Sequence, residues 1–185
     1  MRILLINPSQ RMVYGIHMLP ASPPLGLLQI GAVLEKMGQD VRLVDVDIEG
    51  INREKLRSII NDFHPDLVGI TSVTATFNQA LEVAQEIKNL RDIPIVLGGI
   101  HAIVDSAGAI AHPNIDFLIK GEGEITICEL VKVLEAGSSN FEDINSLWFK
   151  KDSTIYHNED RELIQDLDSI PYPAFHLLKS LNPYL

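Results

Sequence analysis

The sequence predicts an α/β fold, a three-layer α/β/α sandwich built on a five-stranded parallel sheet. Short apolar runs alternate with longer segments in which apolar residues recur every three or four positions. The runs fit strands that are buried on both faces, and the longer segments fit helices that cover a sheet. Because strands alternate with helices, we expect parallel pairing through right-handed crossovers.

Each predicted strand is an apolar run that stops at turn-forming or small polar residues. Pro8 ends the first run with Asn7 and Ser9, since proline has no N–H to donate to a ladder. The loop that follows continues to Pro23, which is long for a strand–helix connection and typical of a functional loop. The strands are predicted at residues 2–6, 41–46, 67–70, 94–97 and 115–119.

Each predicted helix has one apolar face and a recognisable beginning or end. Pro24 suits the first turn of the first helix, and Gly38 suits its left-handed cap. Asn52 is the predicted N-cap of the second helix, and Thr76 begins a capping-box pattern for the third. The remaining helices are predicted at residues 105–111 and between Glu124 and Gly137.

Two further features follow the last helix. Residues 146–150 and 154–157 predict a C-terminal β-hairpin, and residues 163–184 are rich in Asp, Pro and Leu without a helical period, which predicts an extended linker. For the five strands we expect a flavodoxin-like or Rossmann-like arrangement. We therefore divide the chain into a domain (1–140), a hairpin extension (141–162) and a linker (163–185) towards a further domain.

Composition and charge exclude several classes of partner. The formal net charge of −10 argues against nucleic acid and against anionic membrane surfaces. No apolar run approaches the roughly 20 residues of a transmembrane helix. Cys128 is the single cysteine, so this chain has no intrachain disulfide and no all-cysteine metal site. We expect a cytoplasmic protein.

Small and polar residues follow the third, fourth and fifth strands. They are Thr71, Ser72, Val73, Thr74 and Thr76, then Gly98 and Gly99, and then Gly121, Glu122 and Gly123. Hydroxyls bind uncharged polar ligands, and glycines let a ligand approach the backbone. The alternatives are that the hydroxyls satisfy loop backbone, that the glycines form a tight turn, and that the acidic residues favour a helix N-terminus.

Other sequence signals narrow the chemistry. Neither the GxGxxG nor the GxxxxGK[ST] phosphate motif is present. No histidine pair has metal-ligand spacing, and no nucleophile–base arrangement is supported, so we assign neither metal ligands nor catalytic residues. His101 follows the double glycine, and Asn7 ends the first strand. On its residues alone the chain indicates a ligand-binding domain.

Several segments together resemble a known family. PPLGLLQIGAVLEKMGQDVRLVD, DLVGITSVTATFNQALEVAQEIK, PIVLGGIHA and NIDFLIKGEGEITICELVKVL resemble the N-terminal cobalamin-binding domain of B12-dependent radical SAM proteins. The tail DLDSIPYPAFHLL resembles the linker into their radical SAM barrel. The resemblance implies cobalamin at the carboxyl ends of the strands.

The resemblance also implies roles for matched residues. The loop residues Ser72, Val73, Thr74 and Thr76 would line the nucleotide tail and corrin rim. Gly98, Gly99 and His101 would border the ribose and phosphate of the tail, and Gly121, Glu122 and Gly123 would close the other side. Asn7, Pro8 and the long first loop would face the corrin.

Two departures refine this picture. The family of cobalamin proteins with D-x-H-x-x-G places a cobalt-ligating histidine after strand one, whereas His17 here has Gly15 and Pro20 in the flanking positions. We therefore expect base-off cobalamin without a histidine ligand, which suits methyl transfer. The three cysteines of the radical SAM motif are absent, so the [4Fe-4S] cluster and S-adenosylmethionine would belong to a missing domain of the same parent chain.

Two alternatives stay open at this point. The domain keeps the fold but has lost cobalamin and only supports the barrel, or it is a flavodoxin-like module that binds FMN. An FMN site needs a hydroxyl-rich phosphate loop after strand one, and Asn7-Pro8-Ser9 supplies little of that. The residues select neither a substrate nor a reaction for the parent enzyme.

Overall fold

The protein is an α/β sandwich, seen here in a computed structural model that describes residues 1–11 and 22–185. Its strands are β1 (Arg2–Asn7), β2 (Asp40–Asp45), β3 (Leu67–Thr71), β4 (Ile95–Gly98), β5 (Phe117–Ile119), β6 (Leu147–Lys151) and β7 (Thr154–His157). They form one sheet in the order β2-β1-β3-β4-β5-β6-β7. The parallel part has the flavodoxin-like order 2-1-3-4-5, which confirms the predicted arrangement.

The sheet has seven strands because the predicted hairpin joins it. Strand β6 pairs antiparallel with β5, with Leu118 opposite Trp148, and β7 pairs antiparallel with β6. Along β6 the buried residues Leu147 and Phe149 alternate with more exposed ones. That pattern gives β6 one apolar face, which completes the core beside β5.

Helices cover both faces of the sheet. The described helices are α1 (Leu25–Lys36), α2 (Val46–Glu49), α3 (Arg53–Phe63), α4 (Phe77–Leu90), α5 (Ile100–Val104), α6 (Ser106–Ala111) and α7 (Glu124–Glu135). Helices α1 and α7 share one apolar cluster with one sheet face. Helices α3, α4 and α6 share the second cluster with the opposite face. The three predicted layers are therefore present.

The structure differs from the sequence expectation at one helix start, at one strand end and in one additional helix. Thr76 lies in a 3-10 turn, Thr74–Thr76, and α4 begins only at Phe77. Val46 begins the one-turn helix α2 instead of ending β2. Helix α5 was not expected, because five residues are too few to show a helical period.

Residues 163–185 pack against the domain. They contain the 3-10 turns Leu167–Ser169, Phe175–Leu177 and Asn182–Tyr184. Ala174 and Leu178 are buried, and Leu178 belongs to the cluster formed by α1 and α7. Among the described residues, no helix is long and apolar enough to cross a membrane.

Cys128 provides a check on the packing of α7. Its side chain is half-buried, and burial raises the pKa of the thiol above its ordinary value. A raised pKa leaves less thiolate at mildly alkaline pH, and the thiolate is the reactive form. We expect Ellman's reagent to modify the folded chain much more slowly than the chain unfolded in guanidinium chloride. Equal rates would contradict the observed burial of this thiol.

Candidate functional site

The candidate site lies where β1 and β3 are neighbours in the sheet. After β1 the chain continues to β2 on one side of this position, and after β3 it continues to β4 on the other side. The position between β1 and β3 is therefore the switch point of the fold. Ligands of open α/β sheets bind outside the carboxyl ends of strands at such a point. Asn7, Thr71 and Gly98 are the last residues of β1, β3 and β4.

A slot of about 190 Å³ opens between this edge, α1 and α7. Six of the residues singled out in the sequence line it, namely Thr71, Gly98, Gly99, Gly121, Glu122 and Gly123. Its other walls include Leu5, Gly26, Leu27, Ile30 and Ile127, which the sequence did not single out as ligand contacts, and Glu124, which the sequence assigned to the start of a helix. Because small-molecule pockets usually measure about 300–1,000 Å³, the slot fits one part of a large ligand.

Gly98 and Gly99 serve the slot in different ways. A Cβ built on Gly98 would meet no atom within 4 Å, so the missing side chain leaves open space in the slot wall. Gly99 has a φ of +91°, and a Cβ there would lie 2.6 Å from the carbonyl oxygen of Ser72. Gly99 is therefore required by the backbone, while Gly98 is free to admit a ligand.

A second recess of about 160 Å³ adjoins the slot, since Thr71, Gly26 and Leu27 line both. Besides Thr71, the recess brings together four residues that the sequence singled out, namely Asn7, Ser72, Val73 and Thr76. Pro8, Thr74 and His101 line neither cavity. Pro8 is buried directly after β1.

The hydroxyls of the loop after β3 are not equivalent. Thr76 Oγ1 donates to the carbonyl oxygen of Val73 and accepts from the Val73 N–H, so it stabilises the loop itself. Ser72 is 2% exposed, and its Oγ has no hydrogen-bond partner. A buried hydroxyl without a partner is costly in a folded protein. Ser72 Oγ thus keeps its hydrogen-bonding capacity unused among the described residues.

His101 is held in place from several sides. Its ring centroid lies 3.9 Å from that of Phe77, and its Nδ1 is 3.3 Å from Thr74 Oγ1. Its backbone N–H donates to the carbonyl oxygen of Ser72 at 3.0 Å. The residue is buried, and its Nε2 has no partner. His101 therefore fixes the loop that carries Ser72 and retains one unused polar atom.

The two carboxylates at the start of α7 have different surroundings. Glu122 Oε2 accepts the backbone N–H of Ile164 at 2.7 Å, so this side chain holds the C-terminal segment. Glu124 Oε2 is buried without a partner in the slot wall. The sequence indicated Glu122 as the ligand contact and assigned Glu124 to the helix N-terminus, whereas in the structure Glu122 is bonded to the C-terminal segment and Glu124 has the unpaired oxygen.

Asp45 connects β2 to the site. Its carboxylate accepts the Nδ2–H of Asn7 at 2.9 Å and the Tyr184 hydroxyl at 2.9 Å. It also accepts the N–H groups of Asp47 and Ile48 as the N-cap of α2. The sequence did not identify this role, since an acidic residue at a strand end is usually solvated.

The described residues hold no cluster of three or more His, Cys, Asp or Glu side chains suited to a metal ion. His17, for which the sequence predicts no bond to cobalt, lies outside the described residues. The site described so far is therefore a two-part cavity with glycine-lined walls and unpaired polar atoms beside it.

Known relatives have domains of this kind. Residues 13–131 match the family of the B12-binding domain. An uncharacterized methyltransferase of Pyrococcus horikoshii is 33% identical over 180 residues, which are 96% of this chain and 39% of the relative. An anaerobic magnesium-protoporphyrin IX monomethyl ester cyclase of Synechocystis is 28% identical over 91% of this chain and 34% of the relative. The chain thus spans less than half the length of these relatives.

Solved structures show the same fold. The radical S-adenosylmethionine methyltransferase TsrM from Kitasatospora setae, solved with cobalamin and a [4Fe-4S] cluster bound, has a TM-score of 0.75 at 22% identity over 92% of this chain and 31% of that chain. The cobalamin-dependent S-adenosylmethionine radical enzyme OxsB has a TM-score of 0.77 at 19% identity, over 94% of this chain and 24% of that chain. From the match over residues 13–131 we conclude that this chain belongs to the B12-binding domain family.

Proposed function

We propose that the domain binds cobalamin in the base-off form, with the nucleotide tail in the slot and the corrin over the carboxyl edge of the sheet. One observation carries the proposal. The slot opens at the switch point beside a glycine that leaves space, and the adjoining recess is lined by a buried serine whose hydroxyl lacks a partner. A ligand group with hydrogen-bonding atoms completes that environment.

Each residue near the cavity has a task in this proposal. Ser72 Oγ bonds the heterocyclic base or ribose of the tail, and Gly98 lets the tail approach the backbone. Gly121 and Gly123 form the opposite wall. Asn7, fixed by Asp45, orients the recess towards the corrin rim.

We further propose that the domain belongs to a longer radical SAM enzyme. The relatives are longer than this chain, and TsrM is a radical S-adenosylmethionine methyltransferase with a bound [4Fe-4S] cluster. In this proposal a radical SAM domain of the same polypeptide holds the cluster and S-adenosylmethionine. Bound cobalamin supplies a cobalt centre that accepts and passes on a methyl group. A cytoplasmic location fits a chain with a single cysteine.

The structure gives the FMN alternative no support. Phosphate would need free donors in the loop after β1, and in the described start of that loop Ser9 Oγ and the Gln10 N–H both donate to the carboxylate of Asp47. A carboxylate in that position also repels a phosphate. If the domain were only a scaffold, the buried Ser72 Oγ would have no ligand group to bond, and a buried hydroxyl without a partner is costly.

Reconstitution tests the proposal directly. The purified chain is mixed with hydroxocobalamin, free ligand is removed by gel filtration, and the visible spectrum is recorded. We expect corrin absorbance to remain with the protein in a near-stoichiometric amount. Absence of corrin absorbance supports the scaffold alternative, and a yellow flavin spectrum in the protein as purified supports FMN.

His17→Ala tests the base-off state without a histidine ligand. Because the sequence around His17 departs from D-x-H-x-x-G, we expect wild type and His17→Ala to give the same spectrum of bound cobalamin. Electron paramagnetic resonance of the cob(II)alamin form is the measurement, since an axial nitrogen splits its signal. A nitrogen splitting that is present in wild type and lost in His17→Ala contradicts the proposal.

A further inference from the structure

The C-terminal segment bonds to two sides of the slot, α1 and the loop before α7, and to the sheet edge beside the adjoining recess. We name residues 163–185 the strap, and we infer that strap docking and cobalamin binding stabilise each other. The inference rests on the proposed function. The sequence predicted an extended linker for these residues, whereas in the structure the strap is bound to the domain at both of its ends and in its middle.

The first contact is on the α7 side of the slot. The N–H of Ile164 donates to Glu122 Oε2 at 2.7 Å, and Glu122 itself lines the slot. Just before the strap, Arg161 is paired with Glu129 on α7 and donates from its Nε to Thr126 Oγ1 at 3.2 Å. The chain therefore enters the strap from a fixed point at the start of α7.

The second group of contacts is on α1, the opposite wall. Gln29 Nε2 donates to the carbonyl oxygen of Pro171 at 2.6 Å, and the Ala174 N–H donates to the carbonyl oxygen of Leu28 at 3.0 Å. Leu177 fills the space above Gly31, where a Cβ would lie 2.5 Å from Leu177 Cδ1. These residues alternate along α1 with Leu27 and Ile30, which face the slot. Helix α1 is thus held between the slot and the strap.

The third contact is at the edge of the sheet. Tyr184 donates its hydroxyl hydrogen to Asp45 Oδ2, which also accepts from Asn7 Nδ2, both at 2.9 Å. Asn7 lines the recess beside the slot. Burial and the neighbouring Asp45 carboxylate raise the pKa of Tyr184, so the phenol stays protonated and keeps donating. One hydrogen-bond chain therefore joins the end of the strap to a cavity wall.

The coupling follows from these positions. The strap bonds directly to α1, to Glu122 in the loop before α7 and to Asp45 at the end of β2. Through Asp45 it is linked to Asn7, the last residue of β1. A ligand that fits the cavity as it is shaped with the strap docked binds the docked state better than a state in which the strap is released and α1 is free to move. By linkage, the bound ligand must then favour the docked strap to the same degree. The position of any domain joined to the strap would therefore depend on whether cobalamin occupies the slot.

Hydrogen–deuterium exchange of the 185-residue chain with and without hydroxocobalamin tests this coupling. We expect cobalamin to slow exchange of the Ile164 and Ala174 amides about fivefold or more, although neither amide lines the cavity. Unchanged exchange at both amides in a cobalamin-saturated sample overturns the inference. Failure of the wild type to bind cobalamin overturns the proposed function, and the inference with it.

Matched substitutions supply the second arm. Tyr184→Phe and Leu177→Ala are expected to raise the cobalamin Kd about fivefold. The controls are Tyr172→Phe and Leu181→Ala, because Tyr172 is 94% exposed and Leu181 45% exposed. Both controls should bind like wild type. If Tyr184→Phe and Leu177→Ala melt like wild type and also bind like it, the strap does not influence the slot.

Discussion

Gly98→Val is expected to abolish the retention of cobalamin while the domain stays folded. A Cβ at position 98 meets no protein atom within 4 Å, so valine enters the open slot instead of the core. Its methyl groups would then occupy the space of the nucleotide tail. Overpacking costs about 1–3 kcal/mol, which corresponds to a Kd raised about 5- to 150-fold. Corrin absorbance after gel filtration, together with a thermal melt, measures both outcomes.

Gly99→Ala is the matched control for Gly98→Val. Alanine at position 99 combines a left-handed φ of +91° with a Cβ 2.6 Å from the Ser72 carbonyl oxygen. The two costs together lower the free energy of unfolding by about 3 kcal/mol, through the backbone and not through the ligand. If Gly98→Val retains cobalamin fully, the tail does not enter this slot. If Gly98→Val loses as much stability as Gly99→Ala does, a side chain at position 98 clashes with the protein and does not enter open space.

The parallel part of the fold was predictable because its signals are local. Asn52 accepts the Lys55 N–H as an N-cap, and Gly38 adopts the positive φ of a C-terminal cap. Strands β1 to β5 are short apolar runs, because both faces of a parallel sheet are covered. Such runs are visible in a sequence without knowledge of any partner strand.

The remaining features depend on contacts between distant parts of the chain. The antiparallel pairing of β6 with β5 joins residues that the β5-to-β6 connection and α7 separate. Tyr184 reaches Asp45 across 139 residues, and Gln29 reaches Pro171 across 142. No local pattern marks such pairs, so the segment looked like a free linker in the sequence.

The candidate site was predictable in place and less so in detail. Its position follows from where strands end, which local patterns reveal. The roles of Glu122 and Glu124 depend on which carboxylate meets the Ile164 N–H, and that is decided by the path of the strap. In the same way Thr76 and Ser72 have similar side chains, yet only the hydroxyl of Thr76 is used by the loop.

Ser72→Ala is expected to weaken cobalamin binding without weakening the fold. In the ligand-free domain Ser72 Oγ is buried and has no partner, so its removal relieves a desolvation cost. The free energy of unfolding should stay constant or rise by about 1 kcal/mol. With cobalamin bound, the alanine loses the hydrogen bond to the tail, and Kd should rise about tenfold. Titration by corrin absorbance and chemical denaturation give the two values.

Ser106→Ala supplies the opposite pattern and makes the comparison decisive. Ser106 is also buried, at 8% exposure, but its Oγ donates to the Ala102 carbonyl oxygen at 2.6 Å. Its alanine variant should lose about 1 kcal/mol of stability and keep the wild-type affinity for cobalamin. A loss of stability in Ser72→Ala would mean that Ser72 has a protein partner after all. Unchanged affinity in Ser72→Ala would remove this hydroxyl from the site, because the ligand would then be bound by other atoms.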